Sequence, residues 1–203
     1  MTTIETQQTD ASVWLKGVEW DDLNIDDFEF SNVPTTITNW KLQEIINATP
    51  DNTGLELYVT ELTPEQALMI AQRPYLATIY IKGLNTIDTP TAINLANTRV
   101  KELYLDDITY LSEEQVKWVS NRMGTKWWLA YYGGNVLSLD GLTKVDDGVF
   151  KALLEAKCMS CRVRNLVLTP NQKAMYNQAR KEAQKAGGAV PLVLNYELNS
   201  IVV

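Results

Sequence analysis

The sequence predicts an α/β fold, a solenoid in which short parallel strands alternate with helices. Two regularities predict it: short apolar-x-apolar segments recur along the chain, and a helix-start signal follows most of them. The last residues of successive segments are 24 to 34 positions apart, which leaves room for one strand and one short helix per unit. The segments are Phe28–Phe30, Leu55–Leu57, Ile79–Ile81, Leu103–Leu105, Leu137–Leu139, Leu166–Leu168 and Leu192–Leu194.

The alternation within each segment assigns its side chains to two faces. In a strand the first and third residues point to one face and the middle residue to the other, so the apolar pair is expected in the core. A strand, a helix and a second strand in the same sheet make a right-handed parallel crossover. Because a strand of about five residues cannot bury its apolar face alone, the units are expected to stack on one another.

Helix starts are predicted from capping residues that follow the strands. Thr63 precedes Pro64 and stands three residues before Gln66, which is the pattern of a capping box with proline in the first turn. Thr169 and Gln172 repeat this pattern. Further N-caps are predicted at Thr89, Ser112 and Asp146.

The units are predicted to form one domain, residues 1–203. Residues 1–53 are assigned to an N-terminal cap, residues 54–170 to the repeat array and residues 171–203 to a C-terminal cap. The longest spacing lies between Leu105 and Leu139 and accommodates an insertion near residues 124–134 that is rich in Trp and Tyr. Such an insertion is expected in a loop on one face of the array.

The charge balance bears on partners and on location. Lys and Arg total 18 against 25 Asp and Glu, a net charge of -7, whereas binding to nucleic acid needs a basic surface. The N-terminus has no basic start followed by an apolar stretch, and no segment approaches the roughly 18 apolar residues of a membrane span. We therefore expect a cytoplasmic protein, in the host cytoplasm if the gene is viral, that binds neither nucleic acid nor membrane directly. Whether the protein self-associates is not determined by these observations.

Residues for common catalytic chemistry are missing from the sequence. The chain contains no histidine, which excludes Ser-His-Asp and Cys-His hydrolases. The glycine-rich phosphate-binding motifs and the G-x-S-x-G motif are absent as well. We expect a protein that is not an enzyme and holds no cofactor, with catalysis by carboxylates, Lys or Tyr as the alternative.

Two clusters resemble metal or redox sites. Cys158 and Cys161 have the C-x-x-C spacing of zinc and dithiol centres, but a structural zinc needs four ligands and the chain offers no second pair. We expect both cysteines in the core and no metal site. Carboxylates close in sequence could hold a divalent cation, although a solvated acidic face that attracts a basic partner is favoured. They are Asp21, Asp22, Asp26, Asp27 and Glu29.

Tyrosine and tryptophan concentrate where binding is expected. The middle residue of each strand faces the open side of the sheet, which places Tyr80 and Tyr104 on adjacent strands there. Exposed aromatic residues beside isolated charges are typical of binding hot spots. In the alternative, the insertion covers the sheet and packs its tryptophans on these tyrosines. The predicted partner-binding residues are Tyr58, Tyr80, Lys82, Tyr104, Asp106, Trp127, Trp128, Tyr131 and Tyr132.

The segments Leu103–Ser112 and Leu137–Asp146 resemble the L-x-L-x-G-L-t-x-L-s pattern of divergent bacterial leucine-rich-repeat proteins. The resemblance covers roughly residues 54–170 and implies the strand–helix solenoid and a protein-binding role. One departure is that the asparagine common after leucine-rich-repeat strands is missing, with Gly83, Asp107 and Gly141 at comparable places. Because many unrelated functions share one fold, the resemblance does not specify a partner.

These observations favour a non-catalytic protein–protein interaction module. One hypothesis within this class is a phage-encoded inhibitor of a host or defence protein. The first alternative is a structural subunit of a larger assembly, and the second is a carboxylate-dependent enzyme. Solution mass separates the first two classes, because an assembly subunit self-associates and a free inhibitor does not.

Overall fold

The computed structural model describes residues 36–120, 136–156, 158, 160–190 and 192–194, all within the compact unit Val33–Val203. Helices and strands alternate through this part of the chain. The helices are α1 (Asn39–Ala48), α2 (Pro64–Ala71), α3 (Thr89–Ala96), α4 (Glu113–Ser120), α5 (Asp147–Leu154) and α6 (Pro170–Lys185). The strands are β1 (Gly54–Tyr58), β2 (Thr78–Lys82), β3 (Glu102–Tyr104), β4 (Val136–Ser138), β5 (Ser160–Arg162) and β6 (Leu192–Val193).

The six strands form one parallel sheet in the order of the sequence, β1-β2-β3-β4-β5-β6. Since each strand pairs with the next one in the chain, residues at equivalent positions of successive strands lie side by side and form rows across the sheet. One such row, whose side chains are all buried, contains Leu55, Ile79, Leu103, Leu137, Cys161 and Leu192. The predicted α/β class, with parallel strands alternating with helices, is confirmed.

The core lies between the sheet and the helices. In β1 the apolar residues Leu55 and Leu57 are buried while Glu56 between them is partly exposed, as the alternation predicts. Helix residues such as Ala67 and Ile70 of α2 complete the core from the other side. Burial of these side chains, rather than helix propensity, stabilises helices of only eight residues.

The predicted helix starts are confirmed with one correction. Thr63 and Thr169 form full capping boxes with their glutamines, and Ser112 and Asp146 also cap the helices that follow them. The predicted cap at Thr89 is wrong, because Asp88 is the N-cap of α3 and its carboxylate accepts a hydrogen bond from the Thr91 amide at 2.8 Å. Asp is the stronger acceptor, and Thr89 becomes the first helical residue.

Side chains of the third helical residue tie each of four helices to the preceding one. This residue donates a hydrogen bond to the carbonyl that immediately precedes the N-cap of the previous helix. The bond from Thr91 is buried and the other three are partly buried, so each bond satisfies polar groups that water reaches poorly. The bonds run from Gln66 to Ile37 at 2.5 Å, Thr91 to Leu62 at 3.3 Å, Gln115 to Ile87 at 2.7 Å and Gln172 to Val145 at 2.9 Å.

The predicted strand at Leu166–Leu168 is wrong. The fifth strand is Ser160–Arg162, where Cys161 is paired with Leu137. Leu166 and Leu168 are buried in the segment between β5 and α6, as Leu142 is between β4 and α5. Three alternating residues fit either a strand or an extended segment that faces the core, so the pattern does not distinguish them.

Several predictions lie outside the described residues. They include the strand Phe28–Phe30, the acidic residues 21–29 and the aromatic insertion near 124–134. The last predicted strand segment, Leu192–Leu194, is described, and it forms β6 at Leu192–Val193. Among the helices that the structure describes, none combines the length and the apolar character that crossing a membrane requires.

Candidate functional site

The face of the sheet opposite the core carries four of the predicted binding residues, Tyr58, Tyr80, Lys82 and Tyr104. Its central row on the first three strands is Glu56, Tyr80 and Tyr104, which are register partners. Each is partly exposed, so this face of the sheet is accessible along β1 to β3. We call it the open face and define it by the strand residues Glu56, Tyr58, Tyr80, Lys82, Glu102, Tyr104, Ser138 and Arg162.

Glu56, Tyr58 and Lys82 form a closed polar cluster at one side of the open face. The Lys82 Nζ lies 2.5 Å from Glu56 Oε1 and donates to the Tyr58 hydroxyl at 3.1 Å. The Tyr58 hydroxyl donates in turn to Glu56 Oε1 at 2.8 Å, and Lys82 Nζ stands 5.0 Å from the centre of the Tyr58 ring. This ammonium is therefore held by a carboxylate, a phenol oxygen and an aromatic ring together.

The charges of this cluster follow from its contacts. Burial raises the pKa of Tyr58, and Glu56 raises it further, while Lys82 acts in the opposite direction. For Lys82, burial lowers the pKa, but the hydrogen bonds to Glu56 and Tyr58 outweigh it and the pKa lies above its ordinary value. At neutral pH Tyr58 is therefore a neutral phenol and Lys82 an ammonium.

Tyr80 and Tyr104 form a stacked pair at the centre of the open face. Their ring centres are 4.3 Å apart and their planes differ by 14°. The Tyr104 hydroxyl donates to Glu102 Oε2 at 3.1 Å. Burial, with this hydrogen bond and the charge of Glu102, raises the pKa of Tyr104 to about 12. Tyr104 is therefore a protonated donor at neutral pH, and it fixes the position of the Glu102 carboxylate.

The carboxylates beyond the strand ends stabilise turns. Asp107 accepts a hydrogen bond from the Gly83 amide at 2.7 Å, and Asp106 accepts one from the Asp140 amide at 3.2 Å. Asp140 accepts hydrogen bonds from the backbone amide and Nε of Arg164, both at 2.8 Å. Burial raises the pKa of Asp140, but these bonds and the guanidinium charge lower it below the ordinary value. These side chains hold successive turns together.

Accessibility differs along the open face. The Tyr58 side chain is 40% exposed, whereas Ser138 is fully buried and Asp140 is only 7% exposed. Val167, which the sequence predicts in the central row, lies in the segment before α6, and Arg162 of β5 takes its register position. The accessible part of the open face is therefore centred on β1 to β3.

The structure brings four of the predicted binding residues together: Tyr58, Tyr80, Lys82 and Tyr104. Asp106 lies in the turn after β3, with its carboxylate bonded to the backbone. Glu102 and Arg162 were missed by the sequence prediction. A signal for Glu102 existed, since the tripeptide Glu-Leu-Tyr occurs at both 56–58 and 102–104. Trp127, Trp128, Tyr131 and Tyr132 lie outside the described residues.

The two cysteines are confirmed as core residues. Cys158 and Cys161 are buried and are not joined in a disulfide. A hydrogen bond with Cys158 and burial raise the pKa of Cys161 well above its ordinary value, so the reactive thiolate is disfavoured. In the described ranges, no group of three or more His, Cys, Asp or Glu side chains is arranged to hold a metal ion.

A shallow groove of about 180 Å³ lies near the starts of α4 and α5. It shares no residue with the open face and is lined mainly by apolar side chains. Lys144 and the N-cap Asp146 supply its charged groups. The lining residues are Tyr110, Leu111, Lys144, Val145, Asp146 and Val149.

Comparison with known proteins gives no relative: no family model, no curated protein and no solved structure matches this chain. The resemblance to leucine-rich-repeat proteins therefore rests on the sequence pattern. Function has to be inferred from the side chains of the open face and from the fold that presents them.

Proposed function

We propose that this chain is a non-catalytic protein-binding module, built as a leucine-rich-repeat-like solenoid, that contacts its partner through the open face of the sheet. The observation that carries the proposal is the stacked and partly exposed pair of Tyr80 and Tyr104. Tyrosine offers a large contact area and a hydrogen-bonding group at a small entropic cost, which is why it is enriched in binding hot spots. That the partner is a host or defence protein remains a prediction.

The solenoid interpretation is supported by the regular return of equivalent positions. Leu57, Ile81 and Leu105 are 24 residues apart, as are Leu139 and Val163. Thr91 and Gln115, the donors of two of the bonds from a third helical residue, are 24 residues apart as well. Stacked units of this kind share one core and present a continuous sheet surface.

Rigidity supports binding on this face. The tyrosines stand on hydrogen-bonded parallel strands, and the turns beyond the strands are held by Asp106, Asp107 and Asp140. A partner therefore meets side chains that are already ordered, and binding loses less conformational entropy. Ion pairs such as Glu56 with Lys82 add polar contacts at the edge of the aromatic surface.

The experiment first identifies a partner by affinity purification and mass spectrometry and then measures its Kd by calorimetry. Tyr80→Ala and Tyr104→Ala are expected to weaken binding by roughly thirtyfold each, the loss typical of an aromatic hot spot. The control is Tyr75→Ala, which removes a tyrosine that is 53% exposed but lies before β2, outside the open face.

Melting temperatures of all three variants separate loss of binding from loss of folding. The proposal fails if both open-face variants bind like the parent protein. It also fails if the purified chain forms a stable homo-oligomer through this face, because a structural subunit is then the better interpretation.

A further inference from the structure

The tripeptide Glu-Leu-Tyr occurs twice on the open face with the same local geometry. At residues 56–58 the Tyr58 hydroxyl donates to Glu56 at 2.8 Å, and at residues 102–104 the Tyr104 hydroxyl donates to Glu102 at 3.1 Å. The glutamate and the tyrosine are separated by two positions in both cases, so both side chains leave the same face of the strand. Each copy presents a carboxylate held against a phenol.

The first copy holds a cation from the same chain. Lys82 is the register partner of Tyr58 on the next strand. Its ammonium contacts Glu56 and the Tyr58 hydroxyl and stands 5.0 Å from the Tyr58 ring centre. The molecule itself therefore demonstrates that a Glu-x-Tyr pair on this sheet accommodates an alkylammonium group.

In the part of the chain that the structure describes, no lysine takes the corresponding place in the second copy. The register partner of Tyr104 on the next strand is Ser138, whose short side chain carries no charge. Among the described residues, Glu102 accepts the hydrogen bond of Tyr104 and takes part in no ion pair. Arg162, two strands away at the same level, acts on Tyr104 through its charge, and so does Arg164, whose guanidinium is paired with Asp140.

We propose that Glu102 and Tyr104, next to Tyr80, bind a lysine or arginine side chain that the protein partner supplies. The inference rests on the proposed function and specifies the chemistry of the partner at this site. The partner's cation takes the role that Lys82 has in the first copy, with Glu102 as counter-ion and the phenol of Tyr104 as a second contact. The net charge of -7 attracts such a basic partner over a longer range.

The test uses a fluorescently labelled hexa-arginine peptide and the full chain, with binding followed by anisotropy. Glu102→Gln keeps the shape of the side chain and the hydrogen-bond acceptor but removes the charge. Its matched control is Glu61→Gln, which removes one charge from an exposed glutamate between β1 and α2. The expected result is a Kd raised about fivefold or more for Glu102→Gln and nearly unchanged for Glu61→Gln.

Equal weakening by the two variants would overturn the inference, because binding would then follow net charge rather than this site. Amide chemical shifts give a second readout: on peptide addition they are expected to change most at residues 102–104, and changes confined to other regions contradict the assignment. The proposed function is judged separately with the purified partner. If Tyr80→Ala abolishes partner binding while Glu102→Gln leaves it unchanged, the open face binds but takes no cation at Glu102.

Discussion

At the scale of single residues, the backbone at Gly141 decides how closely two turns approach. A Cβ atom at this position would lie 2.6 Å from the Ile108 carbonyl oxygen and even closer to that of Asp106. Real Cβ atoms do not come this close to backbone oxygens, so the turn after β4 packs against the turn after β3 only with glycine here. The same turns carry the hydrogen bond between Asp106 and the Asp140 amide.

Gly141→Ala is therefore expected to lower the free energy of unfolding by about 2 kcal/mol or more, since backbone has to move to admit the methyl group. Urea unfolding followed by circular dichroism measures the change. The control is Gly54→Ala at the start of β1, where the nearest atom would be at an ordinary 3.8 Å. Equal effects of the two substitutions would contradict the close approach described here.

At the scale of elements, the side-chain bonds between helices fix how neighbouring units stack. Gln172 of α6 illustrates their double role: its Oε1 accepts from the Thr169 amide at 3.1 Å, and its Nε2 donates to the Val145 carbonyl at 2.9 Å. In α5 the third residue is Val149, whose side chain has no donor for the carbonyl of Leu111. The shallow groove is lined by both of these residues.

Replacing Gln172 with leucine is expected to cost about 1–3 kcal/mol of stability, because the buried side chain loses two hydrogen bonds to the backbone, from the Thr169 amide and to the Val145 carbonyl. Thermal and urea unfolding measure this cost. The control is Gln178→Leu on the same helix. Gln178 is exposed and its side chain donates to Glu182 one turn later, so the change is expected to alter stability by about 0.5 kcal/mol or less. A Gln172 variant as stable as the Gln178 variant would refute the tie between α6 and the preceding unit.

At the scale of the whole molecule, one core continues through all six strands. Cys161 illustrates this, because it stands in the buried row between Leu137 and Leu192 of the neighbouring strands. Both cysteines are enclosed, so a reagent in solution reaches them only when the packing around β5 opens. Thiol reactivity therefore reports on opening of the core.

We expect Cys158 and Cys161 to react slowly with a thiol reagent such as DTNB in native buffer and completely in urea. The native rate is expected to follow the opening of the core, and the raised pKa of Cys161 reduces it further, since the thiolate is the reactive form. Single Cys→Ala variants assign the rate to each thiol. Rapid native labelling, or a melting temperature lowered many degrees by EDTA, would contradict two metal-free core residues.

Local sequence patterns predicted correctly those helices and strands in which the local preference of the sequence agrees with the pattern of buried residues. In β1 and β2 two buried apolar residues alternate within the strand, and in β3 and β4 the second one, Leu105 or Leu139, follows the strand directly. The capping boxes of Thr63 and Thr169 depend on residues only three positions apart. The fifth strand was missed because Ser160 and Arg162 are polar and only Cys161 faces the core. The pattern of Leu166 and Leu168 is more apolar, but these residues are not in a strand. They enter the core from the segment that precedes α6.

The candidate site, like the fold, could be predicted in part from local sequence patterns and in part only from the tertiary structure. Alternation along each strand is a local property, and it was enough to place Tyr58, Tyr80, Lys82 and Tyr104 on one face. The cluster around Glu56, and the absence of an ion pair at Glu102 among the described residues, depend instead on which side chains the register brings opposite each other. Lys82 lies beside Tyr58, whereas Ser138 lies beside Tyr104. Strand register is determined by packing between residues distant in sequence, so the tertiary structure alone shows which of the two Glu-Leu-Tyr copies has an internal cation.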